Sequence, residues 1–282
     1  MLRASVRVLD PVDLDEALTV CAQDPVANAF VAARLHAQGM NARAAGELWG
    51  YYQGGRLRSL CWAGANLVPV EADQDAVDAF AARARRVGRH CSSLVGPADA
   101  VLDLWNRLEP YWGPAREVRA CQPLMALASE PLVPADPAVR ASRMDELRLV
   151  VPACVAMFTE EVGYSPVLAD GGVLYNAQVT SLVSSGRSFV RVDDGPRGPQ
   201  VAFKAELGSV TPGAVQVQGV WVDPARRGEG LAGPGMAAVV QHVRTHVAPV
   251  VSLYVNGFNQ RAVHVYSKVG FRQVGTFATV LF

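Results

Sequence analysis

The sequence predicts a mixed α/β chain, α+β in class, divided into two domains. Three observations predict it. The length of 282 residues exceeds the size of one core at about one domain per 150 residues. A proline-rich break falls near the middle of the chain. On both sides of that break, period-2 apolar alternation is interleaved with helical apolar periodicity. Half the residues are hydrophobic and 18% are charged, which is ample material for two packed cores.

Before the break, residues 6–9 alternate as a strand, and helical patterns follow near 13–22 and 27–36. Residues 48–53 and 57–63 read as a hairpin closed at Gly54-Gly55. A helix over 73–87, a short strand at 92–95, a helix over 98–108 and a strand at 122–127 complete the first part. The break itself, Ser129-Glu-Pro-Leu-Val-Pro-Ala-Asp-Pro137, places three prolines in nine residues with neither period. The expected division is therefore 1–128, a linker at 129–137, and 138–282.

After the linker come a strand at 139–142, helices over 144–158 and 173–184, and three strands at 188–193, 200–207 and 214–222. A helix over 231–246, a β-branched strand at 250–255, a helix over 259–269 and a closing strand at 271–281 follow. The two parts share one coarse order of elements, which suggests a diverged internal duplication, although no residue motif common to both stands out.

Lysine plus arginine equals aspartate plus glutamate, at 26 each, so no overall field draws the chain to nucleic acid or to an anionic membrane. The basic cluster of Arg83, Arg85, Arg86 and Arg89 ends a helix that opens with Asp73, Asp75 and Asp78, an order that suits the helix dipole. The five cysteines are widely spaced and read as reduced, mostly buried thiols. No apolar run reaches the length of a membrane span, about 18 residues, and the N-terminus runs straight into strand pattern, so a cytoplasmic protein is expected. Lys204 and Lys268 are the only lysines, a bias typical of a GC-rich bacterial genome.

The chemistry is concentrated in Val217-Gln-Gly-Val-Trp-Val-Asp-Pro-Ala-Arg-Arg-Gly-Glu-Gly-Leu-Ala-Gly-Pro-Gly-Met236, a strand that passes through a glycine-rich turn into a helix. Such a turn lets backbone amides converge on an anion at the helix N-terminus. The spacing is neither that of a dinucleotide fingerprint nor that of a phosphate loop. It resembles motif A of the GNAT superfamily of acyl-CoA N-acyltransferases, Arg/Gln-x-x-Gly-x-Gly/Ala, here Arg227-Gly228-Glu229-Gly230-Leu231-Ala232. Downstream, Asn259, Ala262, Tyr266, Gly270 and Phe271 stand in register with the second signature of that family, Asn-x-x-Ala-x-x-x-Tyr-x-x-x-Gly-Phe. The chain as a whole looks like an actinobacterial type of GNAT protein with an additional N-terminal domain, itself in the pattern of a degenerate GNAT-like domain.

The resemblance implies a central, mostly antiparallel sheet flanked by helices, acetyl-CoA as cosubstrate, and an amine acceptor that is either a small molecule or a protein. It implies that the backbone around Val220, Trp221 and Val222 meets the thioester and pantetheine arm, and that the amides of 227–232 hold the pyrophosphate. Tyr266 would protonate the departing sulfur, the alternative being a core tyrosine with a satisfied hydroxyl. Glu206 is the first candidate for the base, the alternative being a strand-end carboxylate in solvent or paired with Lys204, and Gln218 lies nearby. Glu160 and Glu161 would hold a cationic acceptor or simply solvate a helix end. Asn256 would meet the pantetheine amides or form an Asn-Gly turn, and Asn259 would cap its helix beside the coenzyme. No metal is expected: His242 and His246 are one turn apart, but Val243 stands where a zinc helix needs glutamate. The N-terminal domain has no such turn, and its role is left among completing the acceptor cleft, forming a homodimer, binding a partner and serving purely as a scaffold. A non-catalytic acyl-CoA sensor is the rival to an enzyme.

Overall fold

The computed structural model describes residues 5–39, 46–168, 171–195 and 198–282. The chain divides into two compact units. Unit 1 comprises the chain up to Met125 with Tyr254–Asn259 and Gln273–Phe282; unit 2 comprises Ala126–Leu253 and Gln260–Arg272.

The first half of the chain runs β1 (Ser5–Val8), α1 (Leu14–Cys21), α2 (Ala29–Gln38), β2 (Gly46–Gln53), β3 (Arg56–Gly64), β4 (Asn66–Val70), α3 (Gln74–Val87), β5 (Ser93–Pro97), α4 (Ala98–Trp112) and β6 (Glu117–Leu127). Strict alternation along β2, β3 and β4 builds two cores on opposite faces. Leu48, Leu60 and Val68 pack under α1 and α2, while their neighbours Trp49, Cys61 and Leu67 pack under α3 and α4. Gln53 pairs with Arg56 across the expected hairpin, with Gly54 at φ 62° and Gly55 at φ 78°.

The second half runs β7 (Arg140–Ala141), α5 (Leu147–Val162), α6 (Val173–Ser184), β8 (Ser188–Gly195), β9 (Gly198–Val210), β10 (Ala214–Val222), α7 (Ala232–His246), β11 (Val250–Tyr254), α8 (Gln260–Val269) and β12 (Arg272–Leu281). In unit 1 the strands lie in the order β1-β2-β3-β4-β5-β12-β6, and in unit 2 in the order β11-β10-β9-β8-β7. Each half therefore lays down five consecutive neighbours, with three antiparallel pairings followed by one parallel pairing, β4 with β5 and β10 with β11.

A residue-level likeness between the two halves accompanies this common order. Arg7 forms a double hydrogen bond with Asp13, at 2.8 and 2.6 Å, and Asp13 also accepts from the Asp10 amide at 2.8 Å. Arg140 grips Glu146 at 2.8 and 2.6 Å, and Glu146 accepts from the Arg143 amide at 2.8 Å. In both halves an arginine of the first strand fixes a carboxylate six residues on, at the mouth of the first helix. Aspartate in one copy and glutamate in the other hide the match from a reading of residue identity.

Three differences from the sequence reading have physical causes. β4 was not expected because Pro69 sits inside it; the parallel ladder with β5 covers only Asn66 and Leu67, so Pro69 costs no bond there. β6 begins at Glu117 rather than near 122, because its first residues, Glu117 and Arg119, alternate as a charged pair rather than as apolar and polar. The last strand was expected to close the C-terminal half; β12 instead pairs antiparallel with β5, Phe277 opposite Pro97 through Leu281 opposite Ser93, and residues 273–282 belong to unit 1.

The proline-rich stretch lies along unit 2. The Leu132 amide donates to Val269 O at 2.8 Å, and the Asp136 amide donates to Pro234 O at 3.0 Å. Cys21, Cys61, Cys91 and Cys154 are buried thiols, whereas Cys121 is exposed. Among the described residues, no helix is long and apolar enough to cross a membrane.

Candidate functional site

β10 is the strand on which the site is built. It pairs with β11 only over Ala214–Gln216 and then continues to Val222 against β9 alone, so the two parallel strands separate beyond Gln216. The β9 ladder is itself interrupted: Gln218 lies opposite Glu206 and Trp221 opposite Lys204, which leaves one residue too many on β10. Gly219 takes φ 60° there, and a Cβ on it would stand 3.0 Å from Glu206 Oε2 and 3.1 Å from Lys204 Nζ. The Gln218 side chain lies over Gly208, where any side chain would collide with it.

From Val222 the chain passes through a 3-10 turn, Pro224–Arg226, into the glycine turn and α7. Gly228 and Gly230 have φ of 93° and 79°, and a Cβ at either would meet nothing within 4 Å. Conformation rather than crowding selects glycine, and the turn is open on its outer side. The first amides of a helix have no intrahelical acceptor and carry the positive end of its dipole, so this mouth suits a phosphate. Gly235 lets α7 lie on the sheet, since a Cβ there would come 2.8 Å from the Phe203 ring.

Ion pairs hold the turn from both sides. Arg226 pairs with Glu229 at 2.7 Å and with Asp193 at 3.0 Å; Asp193 also receives Arg191, which pairs with Asp136 at 2.8 Å. Hydrogen bonds from Arg191, then from Arg226, hold the Asp193 carboxyl below its ordinary range. Arg227 donates to Glu160 of α5 at 2.6 Å and, through Nε, to Val222 O at 3.2 Å. Trp221 donates weakly to the same Glu160 at 3.4 Å.

Tyr266 lies on α8, which packs against the start of α7, a Cβ on Gly233 being 4.0 Å from Val269. The tyrosine is buried, at 8% exposure, with its ring edge-on to Phe271 at 6.0 Å. Burial first, and then the charge of Glu161, push its pKa above the ordinary value of 10. Among the described residues the Tyr266 hydroxyl has no hydrogen-bond partner, unlike the Tyr175 hydroxyl, which donates to Cys154 O at 2.9 Å. Gly270, at φ 115°, ends α8 with its amide on Tyr266 O at 3.2 Å.

The structure thus gathers Val220, Trp221, Val222, Arg227, Gly228, Glu229, Gly230, Leu231, Ala232, Glu160, Glu161, Gln218, Glu206 and Tyr266 within unit 2. Asn256 and Asn259 belong to unit 1. Asn256 is buried, its side chain accepting from Gln122 at 2.8 Å, and Gln122 in turn accepts from Thr279 at 2.7 Å. That chain of bonds engages the Asn256 carbonyl oxygen. Glu206 is buried too, with Oε1 receiving Lys204 at 2.7 Å and the Cys154 thiol at 3.2 Å. Both contacts fall on one oxygen, so the carboxylate anchors Lys204 of its own strand to Cys154 of α5. Among the described residues no cluster of metal-binding side chains occurs, and the His246 ring rests on His242 O at 3.0 Å.

Lys204, Gly219, Asp193 and Arg226 were missed as parts of the site. A signal existed for Lys204: one of two lysines in the chain, it stands in the apolar run Val201-Ala-Phe-Lys-Ala-Glu-Leu207, two residues from a carboxylate and so on the same strand face.

The corresponding junction in the first half has the opposite character. Between β4 and α3 stand Glu71, Ala72 and Asp73, with no glycine, and Asp73 caps α3 with its own carboxylate, accepting from the Ala76 amide at 2.9 Å. The cleft there, about 520 Å³, is lined by Asp73, Asp99 and Asp103. A phosphate would meet carboxylates where α7 offers free amides.

Residues 189–271 match the profile of the Acetyltransferase (GNAT) family, and residues 46–150 match a domain of unknown function, DUF4081. No curated protein sequence matches the chain. Among solved structures, a Drosophila protein is similar at TM-score 0.64 and 15% identity over 99% of both chains. A GCN5-related N-acetyltransferase from Sphaerobacter thermophilus is similar at TM-score 0.62 and 14% identity over 100% of this chain and 96% of that one. A tandem GNAT protein from the clavulanic acid biosynthesis pathway is similar at TM-score 0.57 and 16% identity over 99% and 98%. At such identities the likeness is one of fold, and it spans the whole chain. The chain therefore carries, at residues 189–271, a domain of the Acetyltransferase (GNAT) family, a family that transfers acyl groups from acetyl-CoA, within a two-part fold shared with tandem GNAT proteins.

Proposed function

We propose that the chain is an N-acetyltransferase that moves the acetyl group of acetyl-CoA to a primary amine by direct attack in a ternary complex, with residues 138–282 carrying the chemistry. The observation that carries this reading is a buried tyrosine whose hydroxyl is unpartnered among the described residues, set on the helix that packs against the glycine turn. Its oxygen is not one of the buried polar atoms without a partner, so the ring is buried while the hydroxyl reaches the surface, as an acid facing a bound ligand requires.

In this reading the amides of Gly228 to Ala232 hold the pyrophosphate, and the backbone at Val220, freed from the β9 ladder, meets the acyl arm. The acceptor nitrogen bonds to the thioester carbonyl carbon, the C–S bond breaks, and the sulfur takes up the Tyr266 proton while the amine loses one to solvent. Burial keeps the Tyr266 proton in place at neutral pH. The Glu160 pair with Arg227 ties α5 to the turn, and the next residue of α5, Glu161, is the carboxylate assigned to a cationic amine. Tyr266→Phe is expected to lower turnover by about 100-fold or more while leaving acetyl-CoA affinity within a few-fold. Thiol release measured across a panel of amines, with calorimetry alongside, checks it; an unchanged rate removes Tyr266 from the mechanism.

One observation favours a second reading, a sensor that binds acyl-CoA without turnover: Lys204 and Cys154 engage the carboxylate nearest the strand bulge, Glu206. Tight binding with no thiol release from any amine would support that reading instead.

A further inference from the structure

We infer that Lys204 is a positioning residue, which with Glu206 sets the bulge of β10 against which the acyl donor lies; this rests on the acetyl-transfer reading above. Lys204 is fully buried, at 0% exposure. Its ammonium donates to Gly219 O at 2.9 Å and stands 2.7 Å from Glu206 Oε1. The two partners bracket the irregularity: Glu206 lies opposite Gln218 and Lys204 opposite Trp221, while between them two residues of β10, Gly219 and Val220, stand against the single β9 residue Ala205. Two residues apart on one strand, both side chains emerge on the same face, directly beneath Gly219.

Stability alone does not account for this arrangement. Removing two charges from water is costly, and apolar residues of similar volume often do as well or better. What the pair adds is a fixed conformation. The ammonium draws the Gly219 carbonyl inward, and the left-handed φ of 60° is available because residue 219 has no Cβ to strike the pair. The extra residue then stays where it is rather than migrating along the ladder, and Val220 stays off the β9 register. Cys154, donating to the Glu206 oxygen at 3.2 Å, fastens the pair to α5.

The test is the double variant Lys204→Met/Glu206→Leu in the full chain, which removes both charges together and leaves neither unpaired. Melting temperature and acetyl-CoA affinity are measured on the same sample. The expected result is a melting temperature within a few degrees of the parent and an acetyl-CoA Kd at least tenfold weaker. A parent-like Kd overturns the inference. Should the double variant not fold, Gly219→Ala decides the matter, because it keeps both charges and strains the bulge where it meets the pair: parent-like affinity overturns the inference, and at least tenfold weakening supports it. A parent chain that binds no acetyl-CoA overturns the acetyl-transfer reading itself, a result distinct from either variant outcome.

Discussion

At the scale of single residues, the site depends on backbone conformations that only glycine adopts cheaply. Gly228 and Gly230 face open space, so a substituent is opposed by φ and not by a neighbour. Gly230→Val is expected to cost about 1–2 kcal/mol of local strain and to weaken acetyl-CoA binding at least tenfold. Calorimetry on the folded variant checks this, and parent-like affinity would remove the turn from the site. This much of the site was legible, because glycine spacing writes itself into sequence. The support beneath it was less so: Lys204 meets Gly219 through a backbone carbonyl, and Arg226 reaches Asp193 across 33 residues, a contact no local pattern records. Asn256 is a like case, its carbonyl oxygen bonded to Gln122, a partner 134 residues away in sequence.

At the scale of elements, helices and strands were legible wherever one face is apolar, and they were lost where another rule intervened, as at Pro69 in β4 and at the charged start of β6. The junction of first strand and first helix gives a pH prediction. Hydrogen bonds from Arg140 are the chief cause that presses the Glu146 pKa from its ordinary 4.5 to about 2. Because the folded value is depressed, its stabilisation is present above pH 4.5 and is lost as pH falls towards 2. Glu146→Gln is therefore expected to destabilise the chain at pH 7 and to flatten the fall in stability over that window. Urea unfolding followed from pH 7 to 2 checks it, and an unchanged acid limb would contradict the assignment. Packing gives another: Gly235→Leu drives a side chain into Phe203 and should cost about 1–3 kcal/mol by the same assay.

At the scale of the whole molecule, the common element order of the two halves has its physical counterpart in five matching strand neighbours per half and in the paired arginine–carboxylate clasps. The membership of β12 in unit 1 was illegible, since strand pairing between segments far apart in sequence leaves no periodicity behind. The halves differ where it matters for chemistry: glycines and open amides precede α7, whereas a self-capping aspartate and further carboxylates precede α3. The acetyl-transfer reading therefore predicts one coenzyme per chain. The most direct measurement is isothermal titration of the parent chain with acetyl-CoA, repeated with Gly230→Val. Saturable binding at one equivalent per chain, lost in the variant, is the predicted result; no heat in the parent, or two equivalents, would contradict the account.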